Sequence, residues 1–91
     1  MYNITDMSNE LEILKKKIIY RALYRGTKEM DILLSSFVNK NINQLDESTL
    51  IELEIFLDFE DEIILNFYHH GAVKNEIDKN KISTIFKNFK L

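Results

Sequence analysis

Only two of the twelve Lys/Arg side chains in this chain are arginines, Arg21 and Arg25, four residues apart. Lysine serves wherever a point charge suffices. A guanidinium offers a planar fork of donors for a carboxylate or a set of carbonyls. Arg25 opens the stretch Arg25-Gly26-Thr27-Lys28-Glu29-Met30-Asp31, which combines that fork, a residue with no side chain and two carboxylates. A bare backbone at Gly26 lets foreign main chain come close, and the charges around it suit charge-assisted hydrogen bonds to a partner. The chemistry on offer is recognition. The same residues also have a purely structural reading. Gly26 closes one helix, Thr27 caps the next, and Glu29 and Asp31 are favourable first-turn charges. Tyr20 and Tyr24 project from the preceding helix on the side opposite Leu14 and Ile18. Aromatics beside an arginine anchor interfaces, or they form a second packing face against the terminal helix; the residues leave both open.

Elsewhere the catalytic inventory is thin. Glu10, Glu12, Glu52 and Glu54 fall on helix faces opposite the apolar residues, as solvated carboxylates do. Asp58, Glu60, Asp61 and Glu62 cluster, but a calcium loop built on them would need glycine where Ile63 stands, and helix-start charge accounts for them. His69 and His70 are adjacent, so on a helix they diverge by about 100° and do not readily share a metal. They sit in a last helical turn, where imidazole interacts well with the carbonyl end. No nucleophile–base set, phosphate-cradling glycine loop or zinc spacing occurs, and cysteine is absent. No catalytic, cofactor-binding or metal residues are expected, and the chain is not read as an enzyme. The net charge of −3 argues against nucleic acid, which needs clustered cations.

The elements that must position these residues read as helices. Proline is absent and glycine occurs twice, so few breakers interrupt the chain. Leu11, Leu14, Ile18 and Ala22 recur at three- and four-residue steps, predicting a helix from about Ser8, its cap, to Tyr24, ended by Gly26. Met30, Leu33, Leu34, Phe37 and Val38 predict a second, capped by Thr27 and running to about Asn39. Residues 39–45 read as a loop with Ile42 or Leu45 tucked beneath. Asp46 opens a third helix, with Leu50, Leu53 and Leu57 on one face and Ile51, Ile55 and Phe56 widening it, so that it becomes the central helix. Ile63, Ile64, Phe67 and Tyr68 mark a fourth, ended by Gly71. Asp78 is expected to cap a last helix carrying Ile82, Ile85, Phe86 and Phe89. The expected fold is all-α, a compact bundle of about five short helices in a single domain over residues 1–91, with 1–7 as a flexible tail. No run reaches the ~18 apolar residues of a membrane span. Met1 to Glu10 lacks the basic cluster of a targeting segment, which predicts a bacterial, cytoplasmic protein.

An RGxxE motif, followed two residues later by an acid and set between the first two helices of such a chain, resembles the succinate dehydrogenase FAD assembly factor family. The resemblance runs from about Leu11 to Phe89 and takes in the acidic stretch Leu57 to Glu62 and the His70-Gly71 pair. Arg25, Gly26 and Glu29 match the motif, and Asp31 matches the acid after it. Tyr24 stands where the family usually has a second arginine; Asn66, Phe67 or Tyr68 stands where it usually has tryptophan. The resemblance implies a chaperone-like factor that binds the flavoprotein subunit of succinate dehydrogenase, or also of fumarate reductase. It would hold a conformation in which a histidine of that subunit lies against the flavin, and so promote covalent FAD attachment. FAD is then the client's cofactor, with none stably bound here, and the factor is expected to be a monomer. Arg25, Gly26, Glu29 and Asp31, with Tyr24 and Arg21 beside them, are the expected partner-binding residues. Three other readings compete, one of them a plain helical interaction module with a different client. Leu23-Tyr24-Arg25 spells the tripeptide of LYR-type interaction modules, although here it ends a helix. A helix-turn-helix DNA binder fits the glycine turn loosely, but Glu29 and Asp31 would repel phosphate.

Overall fold

In a computed structural model of the protein, which describes residues 2–91 with side chains from residue 10 onward, five α-helices follow one another. They are α1 (Tyr2–Leu23), α2 (Lys28–Asn41), α3 (Glu47–Phe56), α4 (Asp61–His70) and α5 (Lys81–Lys87). Among the described residues there is no strand, so the fold is all-α as expected. No described helix is long and apolar enough to cross a membrane.

Each apolar stripe finds the others. Ile18 and Ala22 of α1, the whole stripe of α2 from Met30 to Val38, and Leu50, Leu53 and Phe56 of α3 are fully or almost fully buried. Phe86 is the hub of this core. Its ring lies 5.1 Å from Phe37, edge-on, and 5.1 Å from Phe56. Such aromatic pairs add to the area they bury. α1 packs along α2 and α3, while α5 closes the far side against α3 and α4.

Local chemistry sets most boundaries. Thr27 is extended and its side chain accepts from the Met30 N–H, so α2 is capped where expected. Asp46 accepts from the Thr49 N–H at 2.9 Å and starts α3. Gly71 ends α4 at φ +69°, in the left-handed region, where glycine pays no Cβ penalty. Several expectations need correction. α1 runs back to Tyr2 rather than starting at a Ser8 cap, and ends at Leu23; the tail expected over residues 1–7 falls outside the residues whose side chains are described. Gly26 lies beyond the end of α1, at φ +114°, rather than at its first C-terminal flank. The expected loop over 39–45 holds the end of α2 and a 3-10 turn, Ile42–Gln44, with Ile42 buried and Leu45 partly so. Ile51 and Ile55 of α3 are about half exposed, because neighbours cover only the Leu50–Leu53–Phe56 side. Ile85 of α5 likewise faces out. Asp78 sits in a 3-10 turn, Ile77–Lys79, and the α5 cap is Asn80, whose Oδ1 accepts from the Ile82 N–H at 2.7 Å.

Candidate functional site

The bend between α1 and α2 holds every residue singled out in the sequence, but it divides them into an inner and an outer set. The inner set begins with Arg25. Its guanidinium is not offered to the outside, as the sequence suggested. The side chain is 11% exposed and bonded on all sides: Nε donates to Asp61 Oδ1 at 2.8 Å, Nη1 to the Leu57 carbonyl at 2.7 Å, and Nη2 to the Phe59 carbonyl at 2.9 Å.

The physical reason lies in α3. A helix ends with carbonyls that have no intrahelical partner and carry partial negative charge. α3 has no basic residue in its last turn, so α1 supplies the cations from outside. Arg25 covers the carbonyls just past α3 and joins them to Asp61, the first residue of α4. Arg21 works one turn earlier, donating from Nη1 to the Glu54 carbonyl at 3.3 Å and pairing with Asp58 through Nη2. Asp31 also turns inward: its Oδ1 accepts from the Arg25 backbone N–H at 2.6 Å. The bend is thus braced from α2 below and from the α3–α4 junction beside it. The sequence carried a partial signal for this brace. Two forked cations in a lysine-rich chain, and an acidic stretch just after a helix lacking its own terminal cation, invite one another.

The outer set is Gly26, Glu29, Tyr24 and Tyr20. A Cβ placed on Gly26 would meet nothing within 4 Å, so the backbone there faces open space. The Glu29 side chain, in the first turn of α2, is 61% exposed. Tyr20 and Tyr24 are each 65% exposed, with ring centroids 4.7 Å apart. They form a small aromatic ledge rather than packing on the terminal helix. With Arg21, Arg25, Glu60, Asp61 and Glu62 they line an open, shallow depression. Sequence reasoning missed one neighbour: His69, in the last turn of α4, sets Nε2 3.3 Å from Glu29 Oε2. No spacing could have shown this pair, since the residues are forty positions apart. What the bend offers chemically is a bare main chain, a carboxylate and two adjoining phenols, their rings tilted by 47°.

Comparison with known proteins identifies the family. A family model described as flavinator of succinate dehydrogenase matches residues 16–90. Over 64 residues the chain is 39% identical to the mitochondrial succinate dehydrogenase assembly factor 2 of Dictyostelium discoideum, covering 70% of this chain and 45% of that protein. A protein of the same description from Scheffersomyces stipitis is 39% identical over 65 residues, covering 71% of this chain and 41% of its own. The chain therefore spans less than half the length of these relatives. No solved structure matches significantly. Both relatives are mitochondrial proteins of eukaryotes, which overturns the expectation of a bacterial cytoplasmic setting. That expectation rested on the composition of Met1 to Glu10, which carries no information on compartment in a chain covering so little of its relatives.

Proposed function

The chain belongs to the flavinator of succinate dehydrogenase family, and from that premise we propose that it docks on the flavoprotein subunit of succinate dehydrogenase and promotes covalent attachment of FAD. The docking surface is the outer side of the α1–α2 bend. Glu29 makes the main polar contact, Gly26 allows the client main chain to approach, and Tyr24 and Tyr20 supply apolar contact. Arg25, Asp31 and Arg21 serve the surface from within by fixing its shape. The factor acts by holding a client conformation, so that a client residue and the flavin stay in reacting geometry. The bond itself forms by chemistry that belongs to flavin and client. On this reading the factor is not itself a catalyst and works as a monomer.

The observation that carries the reading is the open backbone of Gly26 beside the exposed Glu29 carboxylate, on a bend where Arg25 and Asp31 are bonded internally. The test is covalent flavin loading of the client, read as flavin fluorescence that survives denaturing gel electrophoresis. Gly26→Arg fills the approach and is expected to abolish loading above the client's basal level. Glu29→Ala leaves the backbone untouched. It removes a charged hydrogen-bond acceptor worth about 1.5–3 kcal/mol, so client binding is expected to fall by about tenfold or more. Normal loading with both folded variants would overturn the proposal.

A further inference from the structure

Glu29 is the one residue of the outer set with a side-chain partner on another helix, His69 of α4. Both side chains are substantially exposed, at 61% and 44%. An exposed pair of this kind contributes little to folding, so stability is a poor account of its use. A flexible carboxylate on a helix end samples several rotamers and loses that freedom when a partner takes it. A ring Nε2 at 3.3 Å from Oε2 holds one oxygen in place and leaves Oε1 for another donor. The His69 ring centroid lies 5.4 Å from that of its neighbour Tyr68, tilted by 58°, and the Tyr68 hydroxyl donates to the Phe89 carbonyl at 2.7 Å. The charged and titratable groups near the pair are Lys28, next to Glu29 on α2, and His70, whose ring centroid lies 6.0 Å from that of His69. Lys87 of α5 reaches the end of α4 at Gly71.

We propose that His69 is a positioning residue for docking: it fixes the Glu29 carboxylate in the orientation in which the client's donor meets it. This rests on the docking role given to Glu29 above.

The test is a double-mutant cycle on the affinity of the full chain for the flavoprotein subunit. His69→Ala is expected to weaken binding about three- to tenfold, the range for one side chain ordered in advance, with the melting temperature unchanged. His69→Gln, which keeps a donor at similar reach, is expected to restore most of the loss. In the Glu29→Ala background, His69→Ala is expected to cost nothing further, because it acts only through the carboxylate. Wild-type affinity in His69→Ala, or a full additional loss on top of Glu29→Ala, would overturn the role of His69 while leaving docking by Glu29 standing. Undiminished binding by Glu29→Ala alone would overturn both.

Discussion

At the scale of single residues, the two arginines and the glutamate part company. Arg25, itself largely buried, holds the half-buried Asp61 carboxylate and two carbonyls just past α3 at once. Removing one partner from such a set leaves the others desolvated and unsatisfied. Arg25→Ala is therefore expected to destabilise the protein by about 2–4 kcal/mol, visible as a lowered denaturation midpoint. Arg25→Lys recovers little, since an ammonium does not span three acceptors in a plane. Glu29→Ala is expected to leave the same midpoint within about 0.5 kcal/mol while losing client binding. Measuring both quantities on both variants separates support from contact. A client-binding defect in Arg25→Ala that vanished under stabilising conditions would confirm that the arginine acts from inside. Here the sequence was half legible. Residue type identified Arg25, Gly26, Glu29 and Asp31 as a unit, but which way a side chain turns depends on acceptors more than thirty positions away.

At the scale of elements, helix starts were readable where a short polar side chain preceded an apolar stripe, as at Thr27 and Asp46. Asp78 failed as a cap because a second candidate stands two residues on, and Asn80 wins by also donating its Nδ2 to the Glu52 carbonyl at 2.8 Å. That bond ties α5 to α3. Asn80→Ala is expected to cost about 1–2 kcal/mol, as lost caps do. The half-exposed Ile51 and Ile55 were misread because a stripe broader than its neighbours can cover leaves its margins in water, and periodicity does not say how many neighbours there are. Asp46 gives a pH signature. Its hydrogen bonds from Thr49 hold its carboxyl below the ordinary 3.8. A depressed folded-state value means that the cap's contribution is present above the unfolded value and is lost as pH falls through the folded one. Asp46→Asn keeps a capping oxygen that does not titrate. Its urea midpoint is expected to fall less than that of the wild type between about pH 5 and pH 3, the range in which an ordinary carboxyl takes up its proton.

At the scale of the whole molecule, five helices share one core, and three of them, α3, α4 and α5, have ten residues or fewer. Phe86 touches Phe37 of α2, Phe56 of α3 and Tyr68 of α4, so the seven-residue α5 locks three others. Phe86→Ala is expected to cost about 3–5 kcal/mol, a large part of the 5–15 kcal/mol typical of such domains, and circular dichroism would show broad helix loss rather than fraying of α5 alone. This dependence was visible in the sequence as apolar spacing, which identified the core residues well; it did not reveal the hub, since hubs arise from three-dimensional closure.

The three bonds of Arg25 join positions separated by 32 to 36 residues along the chain. Closing so long a loop costs entropy before any contact repays it, so the bend is expected to acquire its final shape only once α3 and α4 have found their places. On the proposed docking role, a partly assembled chain would lack a competent surface. The Arg25 amide, which donates to Asp31 Oδ1, is accordingly expected to exchange only at the rate of global opening, and a client docking on this bend would meet only finished copies of its helper.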